Sequence, residues 1–361
     1  MIADIQKRLK AGEALAIQGF GSKSLLGPKA QGTPFCMAGL SGIDFFYPQE
    51  RVISALSGTP FAEIEATLAA QNHRLAFDPP KLFAPQSLGG VVASGISGSR
   101  RAFCGGIRDH LLGLSFINGR GDVIRSGGRV MKNVTGYDVP KLFCGSWGTL
   151  GIMTHITLKT VPIPPLRRSC VFTVESLDEG LKLVCQASKS DCDPVSIAFL
   201  PKARLGFSGP TVLVEIEGLL QSVALRSARL ERWLGRKAEY VDQEASAFIW
   251  RHICDAEPLL GPCRQLLRIR CAPRAALHVA QKLEARHLLF DWAGALIWAS
   301  DPGLSLEELR NRLPKAQITQ IKGPNANAAF QPPDTQSLVL MKTIKKAFDP
   351  KGLLNAGRFL L

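Results

Sequence analysis

Residues 85–98 read PQSLGGVVASGISG, and this stretch decides how the first half of the chain is interpreted. Nearly all of its residues are small or β-branched, so its backbone can lie close to another backbone or to a planar ligand. Tight packing between a helix and a sheet would use the same residues. A helix that begins at Gly90 would also direct its N–H groups at an anion. The stretch therefore predicts either a packing contact or a ligand-binding loop.

A second glycine loop lies closer to the start of the chain. Residues 14–18 predict a short apolar strand, and GFGSK follows it at residues 19–23. The dinucleotide fingerprint of the Rossmann fold requires a third glycine at the position of Ser24, and no GxxxxGK[ST] motif occurs. The loop thus predicts a plain turn or a nest of backbone N–H groups around a phosphate.

Further glycine-rich segments follow in a fixed order towards the other end of the chain. Residues 127–138 read GGRVMKNVTGYD, residues 141–152 read KLFCGSWGTLGI, and residues 348–358 read FDPKGLLNAGR. Together with the two loops, this order resembles the FAD-linked oxidases that carry a vanillyl-alcohol-oxidase-type, or PCMH-type, FAD-binding domain. Within that family the chain looks most like the FAD-binding subunits of bacterial glycolate oxidase complexes.

The resemblance implies an α+β fold with a PCMH-type FAD-binding domain and an α+β cap domain. Residues 166–320 alternate short apolar runs with amphipathic stretches, which predicts an antiparallel sheet backed by helices, interrupted by a loop that carries Trp250. Pro162 and Pro164 end a strand-like run and mark a boundary. We expect an FAD-binding domain over 1–165, a cap over 166–320, and a segment over 321–361 that returns to the first domain.

The resemblance also implies cofactor-binding residues, none of them a catalytic group. The first phosphate loop would comprise Gln18, Gly19, Phe20, Gly21, Ser22 and Lys23. The second would comprise Gly89, Gly90, Val91, Ala93, Ser94 and Gly95. Residues beside the flavin and its ribityl chain would be Gly105, Gly106, Arg108 and Asp109. The adenine end would contact Gly148, Thr149, Gly151 and Ile152, and the tail would contribute Asn355 and Arg358.

The expected cofactor is FAD, bound non-covalently because no His or Cys stands where some relatives tether the flavin. Oxidation of a 2-hydroxy acid needs a base for the hydroxyl proton and a cation for the carboxylate. The HxxGDGNxH segment of catalytic relatives is absent, and no two of the six histidines have metal-ligand spacing. We therefore assign no metal and no catalytic residue. The resemblance implies two partners: a sister flavoprotein subunit, which would hold the glycolate or similar 2-hydroxy acid, and an iron–sulfur subunit.

Composition sets the remaining alternatives. A net charge of +14 and a pI near 9.6 favour anionic partners, but no nucleic-acid-binding motif is visible. Nine scattered cysteines and no secretory signal predict a reducing cytoplasm, with peripheral contact at the inner membrane face through the complex left open. The resemblance makes glycolate oxidation in glyoxylate metabolism the leading interpretation. A self-sufficient FAD-dependent D-2-hydroxy-acid dehydrogenase and a non-catalytic assembly or nucleic-acid-binding protein with a degenerate flavin fold are the alternatives.

Overall fold

The computed structural model describes residues 1–82, 85–129, 137–261 and 263–359. The described chain divides into two compact units. Unit 1 comprises Met1–Ser97, Gly105–Ile163 and Pro332–Leu361, and unit 2 comprises Gly98–Cys104 and Pro164–Gln331. Part of the motif that carried the resemblance, residues 130–136, lies outside the described residues.

Unit 1 alternates short strands with short helices, as its glycine-rich sequence requires. Its helices are α1 (Ile2–Lys10), α2 (Phe61–Ala69), α3 (Leu88–Ser94), α5 (Ile107–His110), α6 (Val139–Phe143) and α13 (Thr335–Phe348). Its strands are β1 (Leu15–Gln18), β2 (Thr33–Cys36), β3 (Ile43–Tyr47), β4 (Val52–Leu56), β5 (His73–Arg74), β6 (Leu111–Ile117), β7 (Val123–Gly127), β8 (Ile152–Lys159) and β9 (Val161–Pro162).

The main sheet of unit 1 has the order β3-β4-β8-β6-β7, and all of its neighbours are antiparallel. β1 and β2 form a separate parallel pair, and β5 pairs with β9. Alternating burial along β8 places Ile156 and Leu158 in the core with Val91 and Val92 of α3. A second apolar cluster joins Ile5 of α1 and Leu15 of β1 to residues of the C-terminal tail.

Unit 2 contains longer helices and one larger sheet. Its helices are α4 (Arg101–Cys104), α7 (Leu177–Ser188), α8 (Leu220–Leu234), α9 (Gln243–Cys254), α10 (Glu257–Leu260), α11 (Ala276–Leu283) and α12 (Leu306–Arg312). Its strands are β10 (Leu166–Thr173), β11 (Ser196–Leu200), β12 (Thr211–Gly218), β13 (Glu239–Val241), β14 (Leu266–Arg270), β15 (Ala285–Asp291), β16 (Leu296–Pro302) and β17 (Gln317–Lys322).

The sheet of unit 2 is antiparallel, with the order β13-β10-β12-β11-β15-β16-β14-β17. One of its faces packs against the apolar sides of α7, α8, α11 and α12. The predicted α+β class and the antiparallel sheet backed by helices are therefore confirmed.

Some local predictions were wrong. The stretch around Trp250 is a helix, α9, rather than a loop, because Asp242 caps its N-terminus by accepting the Ala245 N–H at 2.9 Å. β15 was missed because its sequence directly continues the helical stretch of α11. Thr59, two residues before α2, makes no capping contact with that helix. Its Oγ1 accepts the Gly42 N–H at 2.9 Å and donates to the Gly42 carbonyl at 3.0 Å.

The division into units differs from the predicted boundaries of 165 and 320, since unit 2 extends to Gln331 and includes Gly98–Cys104. Polar contacts within unit 2 hold this short segment. Arg100 donates to Glu217 at 3.0 Å and to Glu215 at 3.2 Å, and the Ser99 hydroxyl donates to Asp291 at 2.7 Å. All these partners lie more than 100 positions further along the chain, so the local sequence gave no sign of them.

Candidate functional site

A cavity of about 480 Å³ lies in unit 1, a size typical of a site for a small organic ligand or cofactor. Its wall is formed by the loop that follows β1, by Gly89 and Gly90 in the first turn of α3, and by Ile152 and Met153 at the start of β8. Asn355 and Arg358 of the tail complete it. Four segments that are far apart in sequence therefore meet at one concave surface.

The first glycine loop, residues 18–23, presents a row of free backbone donors to this cavity. The N–H groups of Phe20, Gly21, Ser22 and Lys23 donate to no atom in the described part of the chain. Gly21 has φ +71°, a left-handed conformation that lets successive amides converge on one point. Such a nest of N–H groups is suited to a phosphate or another anion.

Lys23 adds a positive charge to the same loop. Its ammonium Nζ donates to Gln86 Oε1 at 2.5 Å and lies 3.4 Å from Ser22 Oγ. Burial removes water from the ammonium and lowers the pKa of Lys23 to about 8. The loop therefore combines free amides with a poorly solvated cation, and an anionic ligand would restore the lost solvation.

The second glycine loop, residues 89–95, does not present its first amides to a ligand. α3 begins at Leu88 rather than at Gly90, and Ser87 is its N-cap. The Gly89 N–H donates to the Ser57 carbonyl at 2.7 Å, and the Gly90 N–H donates to Ser87 Oγ at 3.2 Å. These two N–H groups are therefore not free donors, because the protein itself accepts their hydrogen bonds.

The glycines of the second loop instead permit close approach. A Cβ on Gly89 would lie 2.9 Å from the Ser57 carbonyl oxygen, and a Cβ on Gly19 would lie 2.1 Å from Ser87 Oγ. A Cβ on Gly90 would meet only Ser87 Oγ, at 3.1 Å. The two loops thus touch at Gly19, while Gly90 leaves space on the cavity side that a larger side chain would fill.

The C-terminal tail ties the walls of the cavity together. Asn355 accepts the Ile17 N–H on Oδ1 at 2.6 Å and donates from Nδ2 to the Trp147 carbonyl at 2.7 Å. Arg358 donates to the carbonyls of Lys23 and Leu26, at 2.9 and 2.7 Å, and to a third carbonyl, that of Pro28, at 2.7 Å.

Arg358 also lies over the Trp147 ring, with 4.9 Å between the guanidinium carbon and the ring centroid. Burial lowers its pKa to about 10, so the guanidinium stays protonated at neutral pH. The guanidinium of Arg358 donates hydrogen bonds to three backbone carbonyls and thereby fixes the segment from Lys23 to Pro28. The two tail residues predicted for the cofactor therefore line its cavity and also hold its loops in place.

The charges of the cavity suit an anion. Lys23, Lys29 and Arg358 line it, and none of the described lining residues is an Asp or a Glu. The buried hydroxyl of Ser57 also lines it and has no hydrogen-bond partner within the described ranges. An unsatisfied buried hydroxyl costs about 1–3 kcal/mol, a cost that a polar ligand group would remove. The donor set fits the diphosphate of a dinucleotide such as FAD.

Several predicted site residues do not line this cavity. The predicted residues that do not contribute to the cavity wall are Val91, Ser94, Gly95, Gly105, Gly106, Arg108, Asp109 and Thr149. Val91 packs in the core, and the hydroxyls of Ser94 and Thr149 donate to nearby backbone carbonyls at 3.1 and 2.6 Å. Gly95 has φ +60° and ends α3, where its amide donates to the Val91 carbonyl.

The segment from Gly105 to Asp109 has a local structural role. Asp109 accepts the Gly106 N–H at 2.8 Å and so caps the short helix α5. Gly105 has φ +83°, which permits the turn before that helix, and the side chain of Arg108 is exposed. The expected contact of these residues with a flavin ring stays a prediction.

The other predicted residues do line the cavity: Gln18, Gly19, Phe20, Gly21, Ser22, Lys23, Gly89, Gly90, Ala93, Gly148, Gly151, Ile152, Asn355 and Arg358. Sequence reasoning missed Ser57, Met37, Trp147 and Met153, which line it as well. Trp147 lies in the segment GSWGTLGI, residues 145–152, and an aromatic residue between glycines could have been taken as a sign of a ligand-binding position. Ser57 carried none, because only the fold brings the end of β4 against α3.

Comparison with known proteins agrees with this site. The family profile described as "FAD binding domain" matches residues 2–127, and the profile for the C-terminal domain of FAD linked oxidases matches residues 333–359. The two matches contain the first loop, the second loop and both tail residues. The fold and the site thus define a flavoprotein with FAD as its cofactor. Over residues 2–127 and 333–359 the chain is similar to the FAD-linked oxidases, and the predicted PCMH-type FAD-binding domain is confirmed.

Curated relatives cover most of the chain. It is 29% identical over 359 residues to the glycolate oxidase subunit GlcE of Escherichia coli (strain K12), covering 99% of this chain and 96% of that protein. It is 25% identical to the glycolate oxidase subunit GlcD of Bacillus subtilis (strain 168), covering 80% of this chain and 72% of that protein. Both relatives are subunits of a multi-subunit glycolate oxidase.

A solved structure of an alkyldihydroxyacetonephosphate synthase shares the fold. Its TM-score is 0.70 at 14% identity, over 98% of this chain and 74% of that one. This likeness shows the fold alone. Within the described ranges no helix is both long and apolar enough to cross a lipid bilayer.

Proposed function

We propose that this chain is the FAD-binding subunit of a complex that oxidises glycolate and similar small D-2-hydroxy acids to 2-oxo acids. The observation that carries the proposal is the match to GlcE, which extends over 99% of the chain and includes both cofactor loops and the tail. When bound, FAD would supply a redox group that can accept and pass on electrons. The first loop would bind its diphosphate through free amides and Lys23, and Asn355 and Arg358 would keep that loop in position.

No histidine of the described residues is placed to act as a base for the substrate hydroxyl. None of the six histidines lines the cavity. The His73 ring shares a hydrogen bond of 3.2 Å with Thr160, and burial, together with the charge of Arg51, lowers its pKa. His155 pairs with the Thr154 hydroxyl, and His252 lies 3.1 Å from Glu257. Each of these contacts is a local structural one.

Among the described residues, no group of three or more His, Cys, Asp and Glu side chains could hold a metal ion. We therefore propose that a sister flavoprotein subunit binds the 2-hydroxy acid and that an iron–sulfur subunit receives the electrons. In this arrangement the present chain carries FAD within the assembly and passes electrons to a non-oxygen acceptor through its partners.

The test is anaerobic mixing of glycolate or D-lactate with the purified chain and, separately, with the chain co-expressed with its partner subunits. We expect the flavin of the chain alone to keep its oxidised absorption, and the flavin of the complex to bleach. Bleaching of the isolated chain would instead support a self-sufficient D-2-hydroxy-acid dehydrogenase. Purification without any flavin would support the non-catalytic alternative.

Two further parts of the proposal are tested separately. Acid precipitation should release all of the flavin into the supernatant if FAD is held non-covalently, whereas yellow precipitate would indicate a covalent link. Cell fractionation of the assembled complex tests the proposed cytoplasmic location and a peripheral contact with the inner membrane face. Retention of the complex on washed membranes would support that contact.

A further inference from the structure

Gln86 contacts Lys23 of the first glycine loop but was not among the predicted site residues. It immediately precedes Ser87, the N-cap of α3, and only 6% of its surface is exposed. Its Oε1 accepts the Lys23 ammonium at 2.5 Å across 63 positions of sequence. Its Nε2 donates to the Pro80 carbonyl at 2.8 Å. Both polar ends of a buried side chain are therefore occupied by specific partners.

The two contacts determine the orientation of the amide. A carbonyl oxygen only accepts hydrogen bonds, so the Pro80 carbonyl requires Nε2 on its side. Oε1 must then point towards Lys23, whose ammonium only donates. Reversing the amide would place a donor against an ammonium and an acceptor against a carbonyl. Gln86 is thus a rigid acceptor that directs the Lys23 ammonium into the cavity wall.

The amide holds Lys23 without neutralising its charge. An ammonium has three donors. Gln86 accepts one of them at 2.5 Å and Ser22 Oγ a second at 3.4 Å, which leaves one for a ligand. Within the described chain no carboxylate forms an ion pair with Lys23. Of the other two cations of the cavity, Lys29 is exposed, and Arg358 donates to three backbone carbonyls. Lys23 is therefore the partly buried cation beside the free amides of the first loop.

We propose that Gln86 is a positioning residue that holds Lys23 as the counter-charge for the FAD diphosphate, so that cofactor affinity depends on the protonation of Lys23. This rests on FAD binding in the cavity described above. Backbone amides alone would bind the diphosphate with equal strength at every pH at which the protein is folded. A lysine in this position makes the affinity for the diphosphate depend on pH, which backbone amides cannot do.

The expected pH dependence has a definite sign. In the free protein, burial lowers the pKa of Lys23 to about 8. A bound diphosphate favours the ammonium and raises that pKa, so binding takes up a proton at higher pH. Affinity is then greatest below pH 8 and weakens above it. For a full one-proton linkage the dissociation constant rises about 10-fold between pH 7 and pH 9.

Other titratable groups near the loop are accounted for. The pKa of Arg358 is lowered only to about 10, so it keeps its charge over this range. Lys29 is exposed, and the Cys36 thiol lies 3.5 Å from the Gly19 carbonyl. No His, Asp or Glu of the described residues lines the cavity. Lys7 and Cys36 are exposed and do not line the cavity, so the variants Lys7→Met and Cys36→Ser serve as matched controls that should keep the wild-type pH dependence.

The experiment measures FAD binding to apoprotein by the quenching of flavin fluorescence at pH 7 and pH 9. We expect Lys23→Arg to bind equally well at both values, because a guanidinium stays charged. Lys23→Met should bind at least 10-fold more weakly at pH 7 and show no pH dependence. Gln86→Glu should bind similarly weakly, because a carboxylate would neutralise Lys23, and Gln86→Leu should lose affinity by releasing it.

Circular dichroism establishes that each variant is folded before binding is measured, and Gln86→Glu covers the case in which Gln86→Leu fails to fold. Equal affinity of the wild type at pH 7 and pH 9, or unchanged affinity of Lys23→Met, would overturn the role of Lys23 while leaving FAD binding intact. Wild-type affinity in both Gln86 variants would overturn the positioning role. No FAD binding by the wild type at either pH would overturn the cofactor site itself.

Discussion

At the scale of single residues, the site separates the groups that would contact the ligand from those that hold the contact groups in place. Lys23 and the free amides beside it face the cavity. Asn355 and Arg358 were predicted as cofactor residues, yet their polar atoms bond to backbone at Ile17 and in the segment that follows Lys23. A motif shows that a residue belongs to a site, but only hydrogen-bond partners show what it does there.

Lys23 should lower the stability of the apoprotein at neutral pH. Its folded pKa of about 8 lies below the ordinary value of 10.5, so the unfolded state holds more protons between those values. The unfavourable burial of the ammonium is present in full below pH 8 and disappears as the pH rises towards 10.5. Lys23→Met should therefore raise the free energy of unfolding at pH 7, by as much as about 3 kcal/mol.

Urea unfolding of the apoprotein at pH 7 and pH 10 measures this effect. The stability advantage of Lys23→Met should shrink at the higher pH, and the same substitution at the exposed Lys29 should change little at either pH. An apoprotein that is less stable at pH 7 with Lys23→Met would show that the Gln86 contact outweighs desolvation. Together with the binding experiment, the expected result would mean that this position sacrifices stability for cofactor affinity.

At the scale of elements, the two glycine loops use glycine for different reasons. In the first loop, Gly21 adopts a left-handed conformation that turns successive amides towards one point. In the second loop, Gly89 lets α3 pack closely against the end of β4, with its amide bonded to the Ser57 carbonyl. The first loop therefore provides the N–H groups suited to an anion, and the second loop forms a wall of the cavity.

Gly90 provides a direct test of that wall. A Cβ there meets only Ser87 Oγ, and Gly90 lines the cavity, so we expect Gly90→Phe to fill the space for the ligand without disrupting the core. The purified variant should contain less than about a tenth of the wild-type flavin and keep its circular dichroism spectrum. Gly90→Ala should lose much less, because a methyl group occupies little of a cavity of about 480 Å³.

A matched control is available in unit 2. Gly209 has open space around its Cβ position, so Gly209→Phe introduces the same ring away from the cavity. This control should retain normal flavin content. Wild-type flavin content in Gly90→Phe would mean that the cofactor does not pass this point of α3, and the assignment of the second loop would be wrong.

At the scale of the whole molecule, unit 1 is assembled from three separate parts of the chain. The tail joins the first strand pair because the Leu15 N–H donates to the Leu353 carbonyl at 2.7 Å. The buried carboxylate of Asp349 accepts the N–H groups of Leu353 and Leu354 at 3.0 and 2.8 Å. The cofactor cavity is therefore complete only when both ends of the chain are in place.

A chain that ends at Gln331 should consequently lose its FAD. It lacks Asn355 and Arg358, and it exposes the apolar cluster around Ile5 and Leu15 that the tail covers. The truncation removes no residue of unit 2, so this unit should remain folded. Its buried side chains Trp250, Trp292 and Trp298 report on that folding. Tryptophan emission that keeps its buried character, together with absent flavin absorption, is the expected result. Flavin retained in the truncated chain would contradict the role of the tail.

From the amino-acid sequence alone, the resemblance to a known family predicted the cofactor and about half of the residues that line the cavity, and the apolar patterning predicted the antiparallel α+β architecture. These predictions were possible because glycine loops and alternating strands are local patterns that adjacent residues fix. Tertiary structure alone decided which amides are free, that Gln86 orients Lys23, and that Gly98–Cys104 belongs to unit 2. Each of these depends on hydrogen-bond partners distant in sequence, as far as 338 positions between Ile17 and Asn355, and no local pattern encodes such a pairing.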